Sequence, residues 1–170
     1  MHAPSKILVP VDFSEPSRAA LEYAGLIGAR FGAEVDVLHV WRPADNARSK
    51  EELLAEFMRS DAGHKMMEWL ASFELRSDVE AHGRLASGVR GDVPDAIVGT
   101  VESGAYALII MGTHGRQGLS HLLHSSVAEK VMSRATCPVV TIRAPDDGAV
   151  LADDPDRLEL DERNVWSWPS

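Results

Sequence analysis

The feature that most constrains the fold is a run of five apolar residues, Ala107, Leu108, Ile109, Ile110 and Met111, that passes straight into a glycine-punctuated loop. The loop in turn leads into residues 127–132, where Val127, Ala128, Val131 and Met132 recur at helical spacing. An unbroken apolar run of this length suits a strand covered on both faces. A strand, a loop carrying Gly112, Gly115, Gly118 and Arg116, and then a helix start is an arrangement suited to an anion. The glycines let the backbone approach closely, and the free N–H groups of the helix start carry a favourable dipole. The same residues also have a plain reading. Ser126 followed by Glu129 is a capping box that needs no ligand, and glycines in loops are often only turns. The local pattern leaves both open. It is neither a Walker A loop, lacking the closing Gly-Lys-Ser/Thr, nor a dinucleotide fingerprint.

The rest of the chain repeats the alternation. Residues 7–11 are apolar throughout and read as a first strand closed by Asp12. Ser14, Glu15 and Pro16 form a helix start, with Ala20, Leu21, Ala24, Ile27 and Phe31 on one face and Gly32 as the stop. Residues 34–41 read as a second strand, and residues 42–49 as a polar connection. Residues 50–74 read as one long helical stretch with Leu53, Leu54, Phe57, Met58, Met67, Leu70 and Phe73 as its apolar face. Met66 and Trp69 do not fit that face, and Gly63 with His64 is the candidate break. Residues 79–86 read as a third strand. Asp92 and Pro94 open a helix with Val93, Ile97 and Val101 inward, ended by Gly104. A fourth strand at 107–111, a fourth helix through Arg134 and a fifth strand at 138–142 complete the series. Five strands separated by four helices predict an α/β fold: a doubly wound parallel sheet with helices on both faces.

Residues 1–144 are expected to form this single domain and residues 145–170 a C-terminal tail. The tail carries about −6 of the formal net charge of −9. It is expected to be partly disordered, or docked through Leu158, Leu160, Val165, Trp166 and Trp168. The acidic balance argues against nucleic-acid binding through a basic surface. There is no long apolar segment and no leader pattern, so no membrane partner and a cytoplasmic location are expected. The lone Cys137 reads as a packed thiol, and His39 and His82 as structural histidines. His114, His121 and His124 share a loop ill suited to hold a metal rigidly, so no metal site is expected.

Gly112, Thr113, His114, Gly115, Arg116, Gln117 and Gly118, then Ser126 to Val131, then Cys137 and Pro138, resemble the C-terminal signature of the universal stress protein family. The ATP-binding branch of that family is marked by Gly, two residues, Gly, nine residues, Gly, then Ser or Thr. Gly112, Gly115 and Ser126 match this spacing; Ser125 stands where the branch has glycine. The resemblance covers residues 5–144 and implies strand order 3-2-1-4-5. Asp12, after strand one, would then face Gly112, after strand four, at the point where strand order reverses. It further implies that Pro10, Val11 and Asp12 line the adenine and ribose side, with Val40 near the base. Met111 and Gly112 would lie under the ribose, and Gly115, Arg116, Ser125, Ser126 and Val127 at the phosphates. The implied ligand is ATP, with or without Mg2+, retained despite Ser125. The implied role is a dimeric regulator in stress response, joined through the edge strand 138–142 (Pro138, Val139, Val140, Thr141, Ile142). The alternative is a nucleotide-free dimer acting through that surface or the acidic tail. No catalytic residues stand out, so turnover is expected to be at most that of a slow ATPase.

Overall fold

The computed structural model describes residues 3–42, 49–77, 79–87, 92–113 and 127–143, the side chains of Leu75 and Arg76 excepted. The acidic tail lies outside the described residues. The elements run β1 (Lys6–Pro10), α1 (Glu15–Phe31), β2 (Glu34–Trp41), α2 (Lys50–Arg59), α3 (Asp61–Ser77), β3 (Ala81–Ser87), α4 (Val93–Gly104), β4 (Leu108–Thr113), α5 (Val127–Arg134) and β5 (Val139–Arg143). The strands form one parallel sheet of order β3-β2-β1-β4-β5, as the alternation and the resemblance implied.

The all-apolar strands have the expected cause. Alternate residues of β1 face opposite sides, and both sides are covered. Ile7 and Val9 join Ala20, Leu21 and Ala24 of α1 with Phe57, Met66 and Phe73 of α2 and α3. Leu8 joins Ile97 and Val101 of α4 with Ala128 and Val131 of α5. Each fully buried aliphatic side chain of this kind contributes roughly 1.5–3 kcal/mol, so the central strand is the least expendable segment. The caps follow the sequence. Ser14 caps α1, Asp92 caps α4, and Gly32 ends α1 at φ 66°. Helix α4 closes on Gly104, with Ala105 after it in the left-handed region at φ 51°.

Three expectations are corrected. Residues 50–74 do not form one helix. The chain breaks at Ser60, whose backbone is extended, so the described residues form five helices and not four. Gly63 is not the break but what permits it. Its amide donates to Ser60 Oγ at 3.1 Å, and a Cβ there would collide with the Phe57 carbonyl. The break resets the helical phase, which brings Met66 and Trp69 inward and leaves Met67 exposed; Leu54 and Met58, on α2 ahead of the break, are exposed as well. On α1, Phe31 is also exposed, because the helix outruns the sheet it covers.

One buried polar group was not foreseen. Asp36 of β2 is wholly buried and accepts hydrogen bonds from Tyr106 Oη at 2.5 Å and Arg84 Nε at 2.8 Å, with Lys6 Nζ at 3.2 Å. Burial pushes its pKa up, but the hydrogen bonds from Tyr106, Arg84 and Lys6 outweigh that and hold it below the usual carboxylate value. Burial, and the bond to Asp36, push the Tyr106 phenol up. On the same face, Lys130 pairs with Asp92 at 2.8 Å and Arg134 with Asp95, tying α5 to α4.

Candidate functional site

The order of the strands reverses between β1 and β4, and in sheets of this class ligands bind beyond the carboxyl ends of the strands at that point. The β1–β4 ladder aligns Ile7 with Leu108 and Leu8 with Ile109. Beyond it, β1 continues with β2, the Val11 amide donating to the Leu38 carbonyl at 2.8 Å. Strand β4 continues with β5 through Thr113 opposite Arg143. The two halves of the sheet therefore diverge at their carboxyl ends.

On the β1 side the chain makes a tight connection into α1. Asp12 Oδ1 accepts from the Ser14 amide at 3.0 Å, the Ser14 hydroxyl and the Ser17 hydroxyl at 2.9 Å. Partial burial raises the Asp12 pKa, but the donors from Ser14 and Ser17 outweigh it and hold the carboxyl below its usual value. Asp12 is thus an exposed, ionised carboxylate whose three donors converge on one oxygen. Its Oδ2 faces no hydrogen-bond donor among the described residues. Between Asp12 and Ser14, Phe13 takes a left-handed backbone at φ 64°.

On the β4 side, Gly112 lies directly on this connection. A Cβ at Gly112 would stand 2.6 Å from both the Pro16 carbonyl oxygen and the Ser17 nitrogen, and closer still to the Pro16 carbonyl carbon. Only glycine lets the end of β4 approach the first turn of α1 so closely. Two segments a hundred residues apart in the chain, 12–17 and 112, thereby meet.

The other expected residues divide. Pro10, Val40 and Met111 share the sheet face covered by α4 and α5, by strand alternation; Met111 belongs to that core and Val40 packs against it. The Val11 side chain turns the opposite way, into the core under α1 and α3, so its main chain alone borders the connection. Val127 opens α5 and is exposed. Gly115, Arg116, Ser125 and Ser126 lie outside the described residues, as do His114, His121 and His124. Among the described residues no group of three or more His, Cys, Asp or Glu is placed to hold a metal, and no helix is long and apolar enough to cross a membrane.

Sequence reading missed Phe13 and the aromatic cluster around it. The Phe13 ring lies 4.7 Å from that of His39 and 5.4 Å, edge-on, from that of Trp69. His39 stacks on Phe57 and its Nδ1–H donates to the Val11 carbonyl at 2.9 Å, so it is a satisfied structural histidine. The only local signal was a bulky residue where a turn-former would be ordinary. Cys137 is half-buried and burial raises its thiol pKa, as befits a packed thiol.

The sequence profile of the universal stress protein family matches residues 4–143. A universal stress protein of Methanocaldococcus jannaschii is 31% identical over 144 residues, covering 82% of this chain and 82% of its own. A universal stress protein solved in complex with cAMP superposes with a TM-score of 0.65 at 21% identity, over 84% of this chain and 99% of that one. One from Archaeoglobus fulgidus, solved in complex with dAMP, does so with a TM-score of 0.59 at 22% identity, over 81% and 96%. At these identities the two structures speak for the fold.

Proposed function

Because the chain belongs to the universal stress protein family, we propose that it binds an adenine nucleotide, ATP, at the carboxyl ends of β1 and β4 and acts as a dimeric regulator in stress response. One observation carries this reading. The main chain of Gly112 is pressed onto the first turn of α1, beside a carboxylate held ionised, one oxygen of which faces no donor among the described residues. That oxygen of Asp12 suits the hydroxyls of a ribose, which are donors. Pro10, Val40 and Met111 supply apolar surface on one sheet face for a base. Gly112 would lie under the ribose. Gly115, Arg116, Ser125, Ser126 and Val127 would receive the phosphates, with Mg2+ as counter-ion on the phosphates themselves. The same fold holds cAMP in one family member and dAMP in another, so an adenine mononucleotide is within its capacity. Turnover, if any, is slow, since no general base accompanies Asp12 among the described residues.

The dimer is proposed through β5. It is an edge strand, and Val139, Val140, Thr141 and Ile142 are only half-buried. Among the described residues no strand pairs its outer side, and a sheet edge of this kind must be covered or used. Light scattering on the full chain tests it: the mass of a single chain would refute the dimer.

Titration calorimetry with ATP tests the site. Asp12→Ala is expected to weaken binding far more than Glu102→Ala, an exposed control near the end of α4, which leads into the amino end of β4. The absence of both heat and a thermal shift at millimolar ATP would refute nucleotide binding and leave the nucleotide-free dimer.

A further inference from the structure

The connection between β1 and α1 contains a conformation that its sequence does not favour. Phe13 is bulky, yet sits at φ 64°, in a region that L residues other than Gly, Asn and Asp seldom adopt. Such a backbone persists only where its surroundings over-determine it. Here they do. The Phe13 ring meets His39 in a tilted contact at 4.7 Å and Trp69 edge-on at 5.4 Å. His39 is itself fixed from two sides, by the stack on Phe57 and by its bond to the Val11 carbonyl. Trp69 is fixed by Arg18, whose guanidinium lies 5.1 Å over its ring. The strained residue follows Asp12 directly. Its left-handed turn is what folds the chain back so that Asp12 Oδ1 meets the Ser14 amide and the Ser17 hydroxyl.

We propose that Phe13 is a positioning residue for the nucleotide site: its ring, clamped between His39 and Trp69, holds the turn that aims the Asp12 carboxylate at the ligand. The inference rests on the nucleotide reading above and adds a residue that acts through Asp12. It makes a distinction that simple core packing does not. If the ring serves only to fill space, its loss must lower stability without a loss of ATP binding that depends on Asp12. If the ring serves to hold the turn, glycine must be the better substitute, because it takes φ near 64° without strain.

The experiment is calorimetric titration of ATP into the full-length chain and its variants, each checked for folding by thermal melting. Phe13→Ala is expected to weaken binding by about tenfold and Phe13→Gly by no more than about threefold. A double-mutant cycle then locates the effect. In an Asp12→Ala background, Phe13→Ala is expected to cost less than about threefold, since the group it aims is gone. Glycine binding as weakly as alanine, or an equal loss with and without Asp12, would overturn the proposal. Should Phe13→Ala not fold, Phe13→Leu takes its place in the cycle, with the same dependence on Asp12 expected. Two failures are distinguishable. No binding by the unaltered chain overturns the nucleotide reading and this inference with it; binding that depends on Asp12 but not on Phe13 overturns the inference alone.

Discussion

Gly112→Ala and Gly99→Ala are the same chemical change and are expected to act with opposite sign. At Gly112 the added methyl would lie 2.6 Å from the Pro16 carbonyl oxygen and the Ser17 nitrogen, where ordinary contacts to carbon lie near 3.5–4.0 Å. The obstacle is main chain, so no rotamer change can clear it. Either the end of β4 or the first turn of α1 must move by about 1 Å. That turn is tied down by the Ser14 cap and the Asp12 hydrogen bonds. Overpacking costs typically 1–3 kcal/mol, and the immobility of the obstacle places this case near about 3 kcal/mol. For a domain of this size that corresponds to a fall in Tm of about 10 °C. Gly99 is the control. It is exposed within α4 and a Cβ there meets nothing within 4 Å. Alanine should therefore gain the helix-propensity difference, about 1 kcal/mol, and raise Tm by about 3 °C. Urea unfolding of both variants, with m-values compared, measures the two shifts. A Gly112→Ala variant within about 0.5 kcal/mol of the parent would show that β4 and α1 do not approach as described, and the argument for the site would lose its main observation.

Tyr106→Phe should cost about 1.5–3 kcal/mol by urea unfolding, because it removes a hydrogen bond from a buried carboxylate; a neutral result would mean that Arg84 and Lys6 alone satisfy Asp36. The Asp36 pKa is lowered in the folded state, so its contribution is fully present above the unfolded value near 3.9 and is lost as pH falls below it. Urea midpoints should accordingly drop steeply between about pH 4 and pH 2, and Asp36→Asn should flatten that drop. Ser125→Gly, which restores the glycine of the ATP-binding signature, should tighten ATP binding or leave it unchanged; a loss of about tenfold, roughly 1.4 kcal/mol, would make the Ser125 hydroxyl a ligand instead.

Sequence alone determined the class of fold. Runs such as 7–11 and 107–111 have no polar side, and only a strand covered on both faces tolerates that; with helices between them, a parallel sheet follows. The caps at Ser14, Asp92 and Gly32 were equally legible, because each satisfies or releases backbone groups within a few residues. What sequence could not determine is whatever depends on phase or on distant partners. The apolar residues of 50–74 suit one helix, and only the close approach of Gly63 to the Phe57 carbonyl, which a Cβ would forbid, shows how the chain can break at Ser60 and turn Met66 inward. Asp36 reads as an ordinary strand residue until Tyr106, 70 residues away, is found donating to it. Phe13 looks like a poor turn residue, and its backbone is intelligible only once His39 and Trp69 close on its ring. Local hydrogen bonds and periodicity are written in neighbouring residues; tertiary contacts that pay for a buried charge or a left-handed phenylalanine come from segments that only folding brings together.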